Sequence, residues 1–332
     1  MRDNFLFETL DSKKRFVIAE IGSNHNGVLE NAKKLILASK MAGADAVKLQ
    51  LFRAEDLVPK SHSEYLDIQN LETPLAWFDE LRDYSGELGI GLFASAFNTE
   101  YIQYLVDRKV FAIKIASSEV TNFKLMSFYS KLEIPLIVSF GMSEWYEVEI
   151  AMSLLTKFGK RDIIPLHCVS NYPLEIEDIN LKIICSLKSR FGNPVGFSDH
   201  SESTDVGAWA YALGARIFEK HITLDRAQQG PDHHYALEPS EFQIYVANIA
   251  NFQKASGSAR KTYSASEIGG RGRLGCYAIK DLQPGDTLDF DSVEIRSPRL
   301  GIPSNLLPSF LGSRVRNYIN EGQYVAFSDL EP

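Results

Sequence analysis

The sequence predicts a (β/α)8 TIM barrel followed by a small β-rich C-terminal domain. Three observations carry this. Short apolar runs alternate with longer amphipathic stretches from residue 16 to 255. The alternation repeats eight times, in about the length that a barrel of eight parallel strands occupies. Beyond residue 255 it stops, and after a polar stretch only short β-leaning pieces separated by turn signals remain. An open doubly wound sheet is the competing reading of the same alternation.

Phe16-Val17-Ile18-Ala19-Glu20-Ile21 reads as the first strand. Asn31–Met41 follows as a helix, with Leu35, Ile36, Ala38 and Ser39 at helical spacing. Gly43-Ala44-Asp45 closes it, and Ala46–Gln50 is the second strand. The later strands are expected at Gly91–Ala94, Ala112–Ile115, Leu136–Ser139, Ile163–His167, Pro194–Phe197 and Arg216–Glu219. Helices are expected at Leu75–Leu88, Glu100–Arg108, Phe123–Lys131, Glu144–Phe158, Leu181–Phe191, Thr204–Leu213 and Ser240–Lys254. Ala255–Arg273 is rich in Ser, Gly, Arg and Lys and reads as a linker. Tyr277-Ala278-Ile279, Pro284-Gly285-Asp286, Val293-Glu294-Ile295 and Tyr324-Val325-Ala326-Phe327 form the strand and turn pieces of the tail. The expected organisation is a catalytic barrel at 1–255, a linker at 256–272 and a second domain at 273–332. That tail has little core of its own on this reading, so docking is expected to bury Leu300, Ile302, Leu306 and Leu307.

The chain has 332 residues, with 35 Lys+Arg against 43 Asp+Glu, a formal charge of −8. An acidic balance excludes a nucleic-acid partner, which needs a concentrated basic face. It leaves room for a small anionic ligand held by two or three local cations. Cys168, Cys185 and Cys276 form no C-x-x-C pair and read as reduced thiols. Met1–Asp11 shows no signal-peptide core, and no segment approaches the ~18 apolar residues of a membrane span. A cytoplasmic protein without membrane attachment is expected.

A barrel builds its site at the C-terminal ends of its strands. Those ends carry Glu20, Lys48, Gln50, Lys114, Ser139, His167, Ser198, Asp199, His200, Glu219 and His221. Charged groups in a barrel interior carry a desolvation cost, so their convergence marks a site. His200 and His221 end adjacent strands and can share one divalent metal, with Asp199, Glu219 and Asp232 as neighbouring carboxylates. Mn²⁺ is the preferred reading and Mg²⁺ the alternative. Lys48 and Lys114 face each other across the mouth and suit a phosphate or carboxylate, helped by the hydroxyls of Ser117, Ser139 and Ser198. The Gly269-Gly270-Arg271-Gly272 run follows no strand–helix unit and is discarded as a nucleotide motif.

These residues stand in familiar company. Ala19-Glu20-Ile21-Gly22-Ser23-Asn24-His25-Asn26-Gly27 resembles the opening motif of the N-acetylneuraminate (sialic acid) synthase family. So do Gly43–Gln50, Lys114–Glu119, His167–Pro173, Gly196–His200, Glu219–His221 and Gly230–His233, in the family's order. The resemblance implies a transferase that condenses phosphoenolpyruvate with an N-acetylated hexose, N-acetylmannosamine or a related sugar, and releases phosphate. It implies that phosphoenolpyruvate is held at Lys48, Gln50, Lys114, Ser117, Ser139, Ser170 and Ser198, and a metal at His200 and His221. It places the sugar at Glu20, Glu119, Tyr172, Glu219 and Asp232, with Glu20 and Glu119 as candidates for proton transfer. The tail resembles the family's antifreeze-like (SAF) domain. The resemblance implies that it covers the barrel of the other subunit in a domain-swapped homodimer, with Arg296 or Arg299 reaching the sugar.

The chain departs from the family pattern at Ser117-Ser118-Glu119, at Phe140, at His234-Tyr235-Ala236, in the short Leu57–Leu75 segment and at Arg296-Ser297-Pro298-Arg299. The phosphoenolpyruvate and metal half is intact and the sugar half is altered, so the reaction class is read more firmly than the sugar. The alternatives are a phosphoenolpyruvate-dependent aldolase of another sugar and a catalytically altered sugar-binding homologue. The first needs extra cations that the strand ends lack. Against the second stand both lysines and both histidines.

Overall fold

A computed structural model describes residues 5–157, 162–192, 194–267 and 272–331. Met1–Asn4 of the expected leaderless start, Phe158 at the end of an expected helix, and Gly269, Gly270 and Arg271 of the linker lie outside them. The chain divides into two compact units, Met1–Gly257 and Ser258–Pro332. The division falls at Gly257, and the described part of the expected linker from Ser258 onward groups with the second unit.

The first unit is a closed barrel of eight parallel strands in sequence order, β8 pairing back onto β1. The strands are β1 (Phe16–Gly22), β2 (Ala46–Leu51), β3 (Gly91–Ala96), β4 (Ile113–Ile115), β5 (Leu136–Ser139), β6 (Ile163–Cys168), β7 (Gly196–Asp199) and β8 (Ile217–His221). The open doubly wound sheet is thereby excluded. The helices are α1 (Phe5–Lys13), α2 (Leu29–Met41), α3 (Ala54–Leu57), α4 (Tyr65–Asn70), α5 (Leu75–Leu88), α6 (Thr99–Asp107), α7 (Phe123–Tyr129), α8 (Trp145–Thr156), α9 (Lys182–Phe191), α10 (Val206–Ala212) and α11 (Pro239–Ser256). Local signals set their ends. Asn98 caps α6 by accepting from Tyr101 N (2.8 Å). Gly89, at φ +66°, ends α5 in the left-handed conformation that glycine adopts at least cost.

Strand residues alternate between two environments, as a period of two requires. The outward set, such as Val17, Ala19, Val47, Leu49, Ile113, Val138 and Phe218, packs under the helices. The inward set fills the lower barrel with Phe16, Ile18, Ala46, Phe93, Ile137, Ile164, Leu166 and Ile217. Helix α1, absent from the sequence reading, packs Leu6 and Leu10 into this inner cluster. Phe5 meets Phe16 and Phe111 edge-on at 5.8 and 5.1 Å. With its lower half packed solid, the barrel's polar inward residues are confined to the upper half.

In the second unit, β9 (Gly275–Ala278) and β10 (Val293–Arg296) form an antiparallel pair. Tyr324 joins them only by a single bridge to Tyr277. The unit has a core of its own, built from Cys276, Leu282, Leu288, Ile302, Leu307, Val315, Ile319 and Val325. This corrects the expectation that docking buries its apolar residues. Ile302 and Leu307 are buried within the unit, whereas Leu300 and Leu306 are exposed.

Candidate active site at the barrel mouth

Strand register brings the polar residues to one level. Glu20 pairs with Lys48 on β2 and with His221 on β8, and Ser198 pairs with Glu219. Each continues the inward parity of an apolar residue below it: Glu20 above Ile18, Lys48 above Ala46, Ser139 above Ile137, Glu219 above Ile217. A cavity of about 600 Å³ opens over them. Of the expected site residues, Glu20, Lys48, Gln50, Lys114, Ser117, Ser139, Ser170, Tyr172, Ser198, His200, Glu219 and His221 line it.

The cavity floor is a charged cluster. Lys48 Nζ lies 2.9 Å from Glu219 Oε1 and 3.3 Å from Glu20 Oε2, and Lys114 Nζ lies 3.8 Å from Glu219 Oε1. All four side chains are buried. Ser198 Oγ donates to Glu219 (3.1 Å) and Gln50 Nε2 to Glu20 (2.8 Å). Burial disfavours the charge on each group, and the neighbours decide which keeps it. Burial works against the Glu219 carboxylate, but Lys114 and Lys48 outweigh it and hold Glu219 well ionised. Glu20 has one ammonium in reach, and burial pushes its carboxyl up to about 7. Burial brings Lys114 down to about 8. Ser139 Oγ and Glu219 Oε2 are buried with no hydrogen-bond partner among the described residues. Buried polar atoms left unmatched at a cavity wall suit a polar ligand.

His200 and His221 stand side by side, ring centroids 5.4 Å apart. Their Nδ1 atoms are both engaged from behind. His200 Nδ1 donates to Val169 O (2.8 Å), and His221 Nδ1 lies 3.3 Å from Tyr235 Oη and 3.6 Å from Asp232 Oδ2. Burial holds the His221 ring neutral. Orientation by a backbone carbonyl or carboxylate through Nδ1 leaves Nε2 for a ligand. Among the described residues no three His, Cys, Asp or Glu side chains gather as a metal cage, so the pair offers two nitrogens at most.

A second chamber of about 310 Å³ adjoins the first, and Gln50, Leu57, Tyr172 and His221 line both. Asp232 and Tyr235 form one wall, joined by a hydrogen bond from Tyr235 Oη to Asp232 Oδ1 (2.8 Å). Phe52, Leu57, Ile68 and Leu71 supply an apolar wall, contributed in part by helices α3 and α4 of the segment that the sequence left unread. Gly22 lies at the boundary with φ +44°; a Cβ there would meet Asp232 Oδ2 at 3.0 Å and Glu20 Oε1 at 3.2 Å.

Three expected residues are not brought together here. Glu119 does not line the cavity; its carboxylate accepts from Ser118 Oγ and Asn122 Nδ2. It ends a 3-10 turn that begins at Ser117. Ser117 and Ser118 of that turn line the cavity, and Glu119 does not. Asp199 and His167 have outward parity. Asp199 pairs with Lys220 (3.0 Å) behind the sheet and is no neighbour of the histidine pair. His167 stacks on Phe197 and bonds to Ile179 O (2.6 Å). Arg296 belongs to the second unit, exposed and paired with Glu294 (2.8 Å). Cys168, Gly141 and Tyr235 are site residues that sequence reading passed over. Parity was the available signal for Cys168, which sits above inward Leu166 while His167 between them faces out.

Fold and site together define a (β/α)8-barrel enzyme with a buried cluster of two lysines and two glutamates at its mouth and a small C-terminal domain. The NeuB family model matches residues 35–261 and the SAF domain model residues 276–331. The chain belongs to the NeuB family. It is 32% identical over 336 residues to the N,N'-diacetyllegionaminic acid synthase of Legionella pneumophila, covering 95% of this chain and 94% of that protein. It is 32% identical over 332 residues to a pseudaminic acid synthase of Campylobacter jejuni, covering 96% and 97%. The crystal structure of an N-acetylneuraminic acid synthetase from Leptospira borgpetersenii superposes with a TM-score of 0.73 at 33% identity, covering 77% of this chain and 89% of that one. No helix among the described residues is long and apolar enough to cross a membrane.

Proposed function

We propose that the protein is a nonulosonic (sialic-type) acid synthase, condensing phosphoenolpyruvate with an N-acetylated hexose and releasing phosphate. The observation that carries this is the joined pair of chambers. One has two buried ammonium groups and a ring of hydroxyls, suited to a small polyanion. The other has a carboxylate, a tyrosine and an apolar wall, suited to a neutral sugar. They meet at His221 and Tyr172. Relatives that make legionaminic and pseudaminic acids support the reaction class.

In this reading Lys48 and Lys114 bind the carboxylate and phosphate of phosphoenolpyruvate, with Ser117, Ser139, Ser170 and Ser198 as donors. C3 of phosphoenolpyruvate bonds to the aldehyde carbon of the open-chain sugar. Water adds at C2, and phosphate departs as the C2–O bond breaks. The lysines stabilise that departing charge from fixed positions in a water-poor site. Glu20 is the group suited to move a proton, because burial sets it near neutrality. Asp232 and Tyr235 orient the sugar hydroxyls. His200 and His221 would hold a divalent metal, preferably Mn²⁺, through Nε2, and that ion would supply Lewis-acid polarisation of the sugar carbonyl. Phosphate release from phosphoenolpyruvate is to be measured with Mn²⁺ and a panel of N-acetylated hexoses, including doubly acetamidated ones. Sugar-dependent release with one of them is expected. Release with none of them overturns the reading.

A homodimer is part of the proposal, in which the SAF domain of one chain covers the barrel of the other and Arg296 or Arg299 reaches the sugar. Exposed Leu300 and Leu306 on that domain, and Phe123 and Met142 on the barrel, support it. Two full-length chains, Lys114→Ala and Arg296→Ala with Arg299→Ala, should each be inactive alone and recover activity when mixed. The reading also places the enzyme in the cytoplasm, supported by three free thiols.

A further inference from the structure

We propose that His233 is a positioning residue for the second substrate, acting through a Thr223–His233–Asn26 hydrogen-bond clasp that aims Asp232 and Tyr235 at His221. This rests on the reading above that Asp232 meets the sugar.

Asp232 lies in the middle of an irregular excursion between β8 and α11. The base of that excursion is closed by backbone bonds, Thr223 N to Leu237 O and Leu237 N to His221 O, both 3.0 Å. Those bonds fix its ends and not its middle. Asp232 itself sits near Glu20, and burial works against its charge. A loop carrying it needs an anchor to hold it inward.

His233 provides one. The chain turns so that Asp232 faces the chamber and the next residue, His233, is buried on the other side. Both of its ring nitrogens are matched. Nδ1 lies 2.6 Å from Thr223 Oγ1, which also lies 3.1 Å from Asp225 O, and Nε2–H donates to Asn26 Oδ1 (3.2 Å). Burial disfavours the charged form of this ring. Asn26 then reaches the same loop a second time, its Nδ2 donating to Gln228 Oε1 (3.3 Å). Asn26 stands at φ +50° in the tight turn after β1, a conformation that Asn tolerates better than most residues. Gly230, at φ +150°, completes the fit; a Cβ there would meet His233 Cδ2 at 2.6 Å and Asn26 Oδ1 at 3.1 Å. The Ser23–Gly27 turn is thus assigned a task outside the chemistry: it clasps the loop of β8 across the barrel seam. Neither Asn26, Thr223 nor His233 lines either chamber, so any effect on substrate passes through Asp232 and Tyr235.

The test uses the full-length chain with Thr223→Val, Thr223→Ser and His233→Ala. Thr223→Val keeps the shape and removes the hydroxyl, whereas Thr223→Ser keeps the hydroxyl. The clasp predicts that Thr223→Val and His233→Ala raise the sugar KM about tenfold or more while the phosphoenolpyruvate KM stays within about twofold, with Thr223→Ser near wild type. A purely structural role lowers Tm and moves neither KM selectively. A sugar KM unchanged in both variants, or both KM values rising together, overturns the proposal. If the wild-type protein turns over no sugar, the synthase reading fails on its own. The clasp is then decided by amide hydrogen exchange over residues 224–236. Faster exchange in Thr223→Val than in Thr223→Ser supports it, and equal exchange overturns it.

Discussion

Binding of phosphoenolpyruvate should draw protons into the site, and Lys114 should take a share of them that its replacement removes. Lys114 is buried at the cavity floor with its Nζ 3.0 Å from Ile115 O and 3.8 Å from Glu219, and burial brings it down to about 8. In the ligand-free site its neutral fraction is therefore about 0.1 at pH 7, 0.5 at pH 8 and 0.9 at pH 9. A polyanion beside the amine favours the ammonium and raises its pKa. The sign follows: binding takes up the missing proton, and the uptake grows with pH. Lys114→Met removes the titrating group with little change of length, and Glu219 keeps Lys48 at 2.9 Å. The difference in uptake between wild type and variant should be about 0.1, 0.5 and 0.9 protons at pH 7, 8 and 9. Titration of the ligand's own phosphate and of Glu20 is common to both proteins and cancels. Calorimetric titrations in buffers of different ionisation enthalpy give the number directly. A difference that stays near zero across the three pH values refutes the assignment of Lys114 as a buried amine facing the anion.

Chelation with EDTA should abolish turnover and Mn²⁺ should restore it; His221→Ala should stay folded and inactive, and full activity of either the stripped enzyme or that variant removes the metal from the mechanism. Gly141→Ala places a Cβ 2.2 Å from Ser170 Oγ and 3.0 Å from Ser117 Oγ and Cys168 Sγ. It should cost about 1–3 kcal/mol in stability and raise the phosphoenolpyruvate KM about tenfold. Lys220→Met leaves Asp199 as an uncompensated buried charge, costing about 3–5 kcal/mol and lowering Tm on the order of 10 °C in thermal denaturation. Leu6→Ala at the barrel floor should cost about 2–5 kcal/mol by denaturant titration and leave both KM values unchanged.

The barrel was legible because buried parallel strands are apolar on both faces and stand out from amphipathic helices. Where reading failed, the cause was information held outside the local segment. Helix α1 shows no clear periodicity, and it gains its apolar partners, Phe16, Phe93 and Phe111, only when the barrel closes. Helices α3 and α4 are too short to be stable by themselves and owe their existence to tertiary packing. The strand read as Pro194–Phe197 runs from Gly196 to Asp199, and without its true end the outward parity of Asp199 could not be seen. Glu119 belongs to a motif that resembles the family's, yet the 3-10 turn carrying it rotates it off the cavity wall. The lysines, serines and histidine pair were legible because each stands on the inward parity of a strand, or just past its end. Asp232 was named through the motif, but its Tyr235 partner and the clasp behind it involve residues some 200 positions apart.

The run Glu219-Lys220-His221 interleaves two duties on consecutive positions. Glu219 and His221 serve the chamber, while Lys220, locked to Asp199 and Ser201 behind the sheet, serves the scaffold. A side-chain period of two means that slipping the strand by one residue exchanges the duties wholesale. A single-codon insertion or deletion in this run would push a cation into the reaction space and two reactive groups into the apolar layer under α10 and α11. The triplet, with Asp199, is therefore one heritable cassette: drift can trade residues within it, but cannot change its spacing. Anyone grafting this chemistry onto another barrel must carry the hidden Lys–Asp pair across with the visible histidines.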